Sequence, residues 1–292
     1  MKTLLSLVNQ SIVGQDHSYT ARDTCLYALG CGLGQDPTDT DQLTFVYEAA
    51  SGFSALPTYP VVLGDGGFWL SDPKYGVDWT QVLHGEQGIM LHANIPVEGT
   101  VRSTATITDI VDKGPEKGAF IYTSRDIHCT TSNTLLATLT STIVARANGG
   151  FGGPQQRSGT IAEPTPTPEG PADHQCDLPI QPSAGLIYRL SGDLNPLHAS
   201  PEAAANVGFS RPILHGLCTL GTTGMALLKH CCHYNPNAVR SISARFTAPV
   251  FPGETLRVSI WQLSNTHYRF QTHVPERDCV VIDQGALVLN TV

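Results

Sequence analysis

Positive charge is scarce in this sequence of 292 residues. Lys and Arg together number 17, against 25 Asp and Glu, which gives a formal net charge of -8. A broad basic surface for nucleic acid is therefore not expected. An anionic small molecule would need a local cluster of Lys or Arg.

The sequence also lacks a long apolar run and a paired cysteine motif. The apolar stretch within residues 1–8 is too short for the core of a signal peptide or for a membrane span. The eight cysteines include no Cys-x-x-Cys pair, so we expect reduced thiols in an intracellular compartment. No metal site is expected at residues 230–233, His-Cys-Cys-His, because four adjacent side chains cannot all face one tetrahedral ion.

What the sequence does contain indicates a globular protein of two similar halves. Hydrophobic residues make up 41% of the chain, enough for a sizeable core. A run rich in Gly, Pro and Thr predicts a connector at residues 148–177, between halves at 1–147 and 178–292. Val82-Leu-His-Gly85 in the first half matches Ile213-Leu-His-Gly216 in the second, which indicates a duplication.

Each half combines one helical segment with several strands. Residues 216–229 are apolar nearly all round and predict a buried helix. Alternating segments such as 104–110 and 258–261 predict strands, antiparallel because the chain between them is short. The sequence thus predicts an α+β protein. Gly216 would lie in the first turn of the buried helix, where an unpaired backbone N–H could polarise a carbonyl oxygen.

The segment 188–198, Tyr-Arg-Leu-Ser-Gly-Asp-Leu-Asn-Pro-Leu-His, concentrates the candidate catalytic groups. Asp193 and His198 could share a water molecule and move its protons, with Asn195 fixing the geometry, as water addition to an activated carbon chain requires. An alternative is a plain turn, in which Asp193 and Asn195 only cap backbone groups before a helix beginning near Ser200.

The same segment resembles the signature of the type 2 enoyl-CoA hydratases of the MaoC-like dehydratase family. The resemblance extends through residues 211–219, 22–30, 82–87 and 244–253, and so covers nearly the whole chain. It implies a double hotdog fold, in which a curved antiparallel sheet wraps a central helix in each repeat. It also implies R-specific hydration of trans-2-enoyl-CoA to (3R)-3-hydroxyacyl-CoA in fatty acid β-oxidation, with no cofactor, since coenzyme A is part of the substrate.

The resemblance also assigns roles to single residues. It implies that Gly216 supplies the oxyanion-stabilising N–H, that His84 and Gly85 line the substrate site, that Lys113 faces the coenzyme A portion, and that Phe246 contacts the ligand. The first half lacks an Asn-Pro-x-x-His run, so we expect it to bind substrate and not to catalyse. His215 is expected to be structural.

The sequence leaves two other functions open, an acyl-CoA thioesterase and a non-catalytic acyl-CoA binding module, because hotdog folds host several activities. The resemblance further implies a homodimer and a peroxisomal location. The last residues, Leu-Asn-Thr-Val, lack the Ser-Lys-Leu type of peroxisomal address, so no targeting signal is visible in this sequence.

Overall fold

The computed structural model describes residues 4–64, 69–158 and 166–291. The α-helices are α1 (Ala21–Gly30), α2 (Thr40–Val46), α3 (Ala184–Tyr188), α4 (Pro201–Asn206) and α5 (Gly216–Cys232). The strands are β1 (Ser11–Val13), β2 (His17–Tyr19), β3 (Val82–Leu91), β4 (Gly99–Asp112), β5 (Ala119–Cys129), β6 (Leu135–Ala145), β7 (His174–Pro179), β8 (Val239–Phe246), β9 (Thr255–Gln262), β10 (His267–Val274) and β11 (Cys279–Leu289). Short 3-10 helices lie at Leu4–Leu7, Tyr59–Val62, Trp69–Ser71, Pro73–Tyr75, Trp79–Gln81, Arg146–Asn148, Arg189–Ser191, Pro196–His198, Pro236–Ala238 and Pro275–Arg277.

The strands form one antiparallel sheet that is symmetric about the junction of β3 and β8. Its order is β1-β4-β5-β6-β3-β8-β11-β10-β9-β7, with β2 also paired to β4. On either side of the junction the next three strands follow in reverse chain order, β6-β5-β4 and β11-β10-β9. Ile89 of β3 pairs with Ile242 of β8. The α+β class is confirmed, and the sheet order agrees with a duplicated unit.

Helix α5 is the central helix of the second half, and its predicted burial is confirmed by 13 buried residues. On one side Thr223 hydrogen-bonds to Thr272 of β10 at 3.0 Å. On another side α5 meets the first half, where a Cβ on Gly221 would collide with Sγ of Cys31 and lie 3.2 Å from the hydroxyl of Tyr27. Glycine at this position lets the two halves approach closely.

The helices of the first half are shorter. Helix α1 has 10 residues and α2 has 7, and a short segment that contains Gly32, Gly34 and Pro37 separates them. A cavity of about 320 Å³ opens beside this half, lined by Phe53 and Leu91 and, from the second half, by Val239. Because Leu91 and His84 lie at opposite ends of β3, this cavity is at the far end of the junction from His84.

The predicted connector is partly fixed to the first half. The carboxylate of Asp112 accepts hydrogen bonds from the backbone N–H groups of Gly150 and Gly152, both at 2.7 Å. Strand β7 begins at His174, inside the predicted connector 148–177, and pairs with β9 of the second half. Residues 159–165 of the connector lie outside the described residues.

Among the residues that the structure describes, no helix has the length and apolar character needed to cross a membrane.

Candidate active site

The loop between α3 and α4 carries the predicted catalytic residues. Gly192 has a φ of 127°, a backbone conformation that favours glycine, and Pro196 begins the short 3-10 helix that contains His198. One carboxylate oxygen of Asp193 accepts from the backbone N–H of Asn195 at 3.1 Å. The turn interpretation is therefore correct for these two atoms. It does not account for the remaining hydrogen-bonding capacity of the Asp193 carboxylate.

Asn195 stabilises the same turn. Its side-chain oxygen accepts from the backbone N–H of Leu197 at 3.0 Å and caps the 3-10 helix. Asn195 thus shapes the loop that presents Asp193 and His198.

His198 is held by one ring nitrogen, which leaves the other nitrogen available. Nδ1 lies 2.9 Å from the carbonyl oxygen of Ile213. A carbonyl oxygen only accepts, so Nδ1 carries the hydrogen and Nε2 carries the lone pair of the neutral ring. Burial lowers the pKa of His198, while the Ile213 carbonyl and the Asp193 carboxylate act in the opposite direction. At neutral pH the ring is therefore a base whose Nε2 can accept a proton.

Asp193, His198 and His215 converge. One carboxylate oxygen and one nitrogen of each ring all lie within 4.8 Å of one another. Such donors can also bind a metal ion, but the two rings are stacked with centroids 3.7 Å apart and planes at 28°. The ring lone pairs therefore lie in nearly parallel planes and do not converge on one ion. A water molecule, which needs two to four polar partners, fits this group better.

Gly216 lies beside this group as the first residue of α5, immediately after His215. The first four N–H groups of a helix have no partner within the helix, and the helix dipole is positive there. A Cβ at Gly216 would lie 3.5 Å from the ring of Phe246, the last residue of β8. Glycine therefore leaves room between the helix N-terminus and this aromatic ring.

The first half contributes His84 and Gly85 to the same region. The rings of His84 and Phe246 are 5.1 Å apart in an edge-to-face arrangement. Burial lowers the pKa of His84, and the nearby carboxylate of Asp193 acts in the opposite direction. Gly85 lies at an irregularity in the pairing of β3 with β6, where a Cβ would lie 3.1 Å from Val144. The structure thus brings residues of both halves together.

Lys113 is not joined to this cluster by any described contact. It follows β4, its side chain is exposed, and its Nζ donates to the carbonyl oxygen of Gln155 at 2.9 Å. Its contact with coenzyme A stays a prediction.

An ion pair that the sequence did not reveal crosses the junction near the site. Arg245 of β8 donates from its two guanidinium nitrogens to one carboxylate oxygen of Glu86 on β3, at 2.6 and 2.9 Å. The other carboxylate oxygen of Glu86 accepts from the hydroxyl of Thr142 at 2.7 Å. The two partners are 159 positions apart, and the only signal was their place inside the two segments that carry the family resemblance.

The fold and the site together define a class. Two antiparallel units, each with its own helices, and an acid and an imidazole beside a helix N-terminus are the features expected of a double hotdog hydratase or dehydratase.

Comparisons with known proteins agree. Residues 17–147 match the MFE-2 hydratase 2 N-terminal domain, and residues 163–284 match the MaoC like domain. The chain is 39% identical to 3-hydroxyacyl-thioester dehydratase Y of Mycobacterium tuberculosis, over 92% of each chain. It is 37% identical to the peroxisomal enoyl-CoA hydratase 2 of Arabidopsis thaliana, over 91% of this chain and 89% of that one.

A solved MaoC-like dehydratase from Phytophthora capsici superimposes with a TM-score of 0.84 at 32% identity, covering 99% of this chain and 98% of that one. The chain belongs to the MaoC-like dehydratase family and carries the hydratase 2 form of its N-terminal domain.

Proposed function

We propose that this protein is a hydro-lyase that adds water to trans-2-enoyl-CoA and forms (3R)-3-hydroxyacyl-CoA, as an enoyl-CoA hydratase of type 2 in fatty acid β-oxidation. The observation that carries the proposal is the convergence of Asp193 and His198 beside the N-terminus of α5. Relatives named enoyl-CoA hydratase 2 support the substrate class, and the R configuration is the one expected of the type 2 hydratases that the chain resembles.

Asp193 and His198 hold the reacting water between them. Nε2 of His198 takes one proton from the water while the Asp193 carboxylate orients it through the other O–H. The oxygen bonds to the β carbon of the substrate, and the electron pair of the double bond moves toward the α carbon and the thioester. His198 then returns the proton to the α carbon, so the whole water molecule ends on the product.

The backbone N–H of Gly216 polarises the thioester carbonyl. Negative charge develops on that oxygen in the enolate-like transition state, and a preorganised donor at a helix N-terminus stabilises it. Because the chemistry needs only proton transfer and this polarisation, we propose that the reaction requires no cofactor or metal.

The remaining predicted residues bind substrate. The rings of His84 and Phe246 are in contact and Gly85 follows His84 in the chain, so we propose that these three residues line the substrate site and that the first half has this binding role alone. Lys113 is exposed and carries the positive charge needed near a phosphate of coenzyme A, so we propose that it contacts that portion of the substrate.

The test is a direct hydration assay. Loss of enoyl-thioester absorbance should follow addition of the protein to enoyl-CoAs of several chain lengths, and chiral analysis should identify the R product. An S product, or no absorbance change at any chain length, contradicts the proposal. A thiol reagent in the same assay detects released coenzyme A and so identifies a thioesterase, while binding without turnover identifies a binding module.

We further propose a homodimer and a peroxisomal location. The location is supported by relatives named as peroxisomal enzymes in Arabidopsis thaliana and Mus musculus. Sedimentation of the purified protein tests the first proposal, and imaging of the tagged protein in its own cells tests the second.

A further inference from the structure

His215 contacts both residues that are proposed to bind the water, His198 and Asp193. Its ring stacks on that of His198 with centroids 3.7 Å apart. Its Nε2 lies 3.2 Å from the main-chain carbonyl oxygen of Asp193. His215 is also the residue immediately before Gly216, the first residue of α5.

The ring of His215 is confined and uncharged. The residue is only 1% exposed, and the ring of the fully buried Tyr188 lies 4.9 Å away. Burial, and then the neighbouring His198, lower the pKa of His215 to about 4. Since the carbonyl oxygen of Asp193 only accepts, the single hydrogen of the neutral ring lies on Nε2.

We propose that His215 is a positioning residue, which aligns Asp193 by its Nε2–H hydrogen bond and His198 by ring stacking, and so keeps both in register with the N–H of Gly216.

The alignment matters because both groups proposed to bind the water lie on one loop, between α3 and α4. Asp193 lies between Gly192, a residue without a Cβ, and the 3-10 helix that begins at Pro196. Displacement of a catalytic group by about 1 Å can cost on the order of 100-fold in rate. The hydrogen bond restrains Asp193 and the stacking restrains His198, and both contacts come from His215 at the start of α5.

Three substitutions separate the two contacts. His215→Gln keeps an N–H donor at the distance of Nε2 but removes the ring. His215→Phe keeps a ring that can stack on His198 but leaves the carbonyl of Asp193 without its donor. His215→Ala removes both contacts.

The experiment rests on the proposed hydration and measures kcat and KM for the full chain with an enoyl-CoA. We expect kcat to fall about tenfold in the Gln and Phe variants and about 100-fold in the Ala variant, with KM changed less than threefold. Partial retention of kcat by both single-contact variants is the rescue that a purely structural role does not predict.

Thr223→Ala is the matched control, because it removes a buried hydrogen bond of α5 to Thr272 away from the site. It should lower the melting temperature with kcat unchanged. If the Ala variant does not fold, the Gln and Phe variants, which fill the space, decide the question.

A folded Phe variant with kcat within threefold of wild type overturns the proposal, as does a loss confined to KM. Failure of the wild-type protein to hydrate any enoyl-CoA refutes the proposed function instead, so the two failures are distinguishable.

Discussion

Replacement of His198 by Asn separates the catalytic nitrogen of this ring from its structural nitrogen. The Asn amide N–H can take the place of Nδ1–H and keep the hydrogen bond to the Ile213 carbonyl, which is 2.9 Å long in the wild type. Asn has no group at the position of Nε2, so the proton acceptor for water is lost. His198→Ala removes both nitrogens.

The two nitrogens of His198 are expected to contribute to different quantities, one to turnover and the other to the free energy of unfolding. Removal of a general base costs about 100-fold to 10,000-fold in turnover, or about 2.7 to 5.4 kcal/mol of activation free energy at about 1.36 kcal/mol per factor of ten. Loss of the hydrogen bond leaves the Ile213 carbonyl unpaired, which costs about 1 to 3 kcal/mol in the free energy of unfolding. We therefore expect both variants to lose turnover to a similar extent, but only His198→Ala to lose that much stability.

Enoyl-CoA absorbance measures turnover, and urea unfolding measures the free energy of unfolding. Turnover by His198→Asn within tenfold of wild type refutes the assignment of Nε2 as proton acceptor. A loss of stability in His198→Asn equal to that in His198→Ala refutes the assignment of Nδ1 to the Ile213 carbonyl.

Three further outcomes are expected. Because burial lowers the pKa of His198, its base form persists below pH 6.5. The kcat/KM should therefore be constant near neutral pH and fall only as the pH drops through that lowered pKa. A fall in kcat/KM with its midpoint above pH 6.5 contradicts this. Arg245→Met should lower the free energy of unfolding by only about 1 kcal/mol, because the ion pair with Glu86 is partly exposed at 42% and 35% of the side-chain surfaces; a loss above about 3 kcal/mol in urea unfolding contradicts it. Gly221→Ala should destabilise by about 1 to 3 kcal/mol in thermal unfolding, because the added Cβ meets Cys31 across the two halves, and an unchanged melting temperature shows that the halves are less closely packed.

Much of the fold was accessible from local sequence patterns. The run beginning at Gly216 predicted a buried helix, and α5 extends from that residue to Cys232. The Pro-Glu-Ala-Ala-Ala stretch after Ser200 predicted the helix α4, which begins at Pro201 with the Ser200 side chain as its cap. These features depend on neighbours within a few residues, and so the sequence carries them explicitly.

The connector was less predictable. Its composition marked residues 148–177 as lacking regular structure, yet β7 begins at His174 because β9 offers it an edge to pair with. Pairing with residues 76 to 86 positions away overrides local composition.

The sequence by itself determined the chemical groups of the site and the turn that presents them, because Asp193, Asn195 and His198 lie within six positions and organise their own loop. Only the tertiary structure decided what surrounds them. His84 approaches because β3 and β8 pair at the junction of the two halves. His215 is stacked and neutral because the folded protein buries it, and burial depends on the packing of elements distant in sequence.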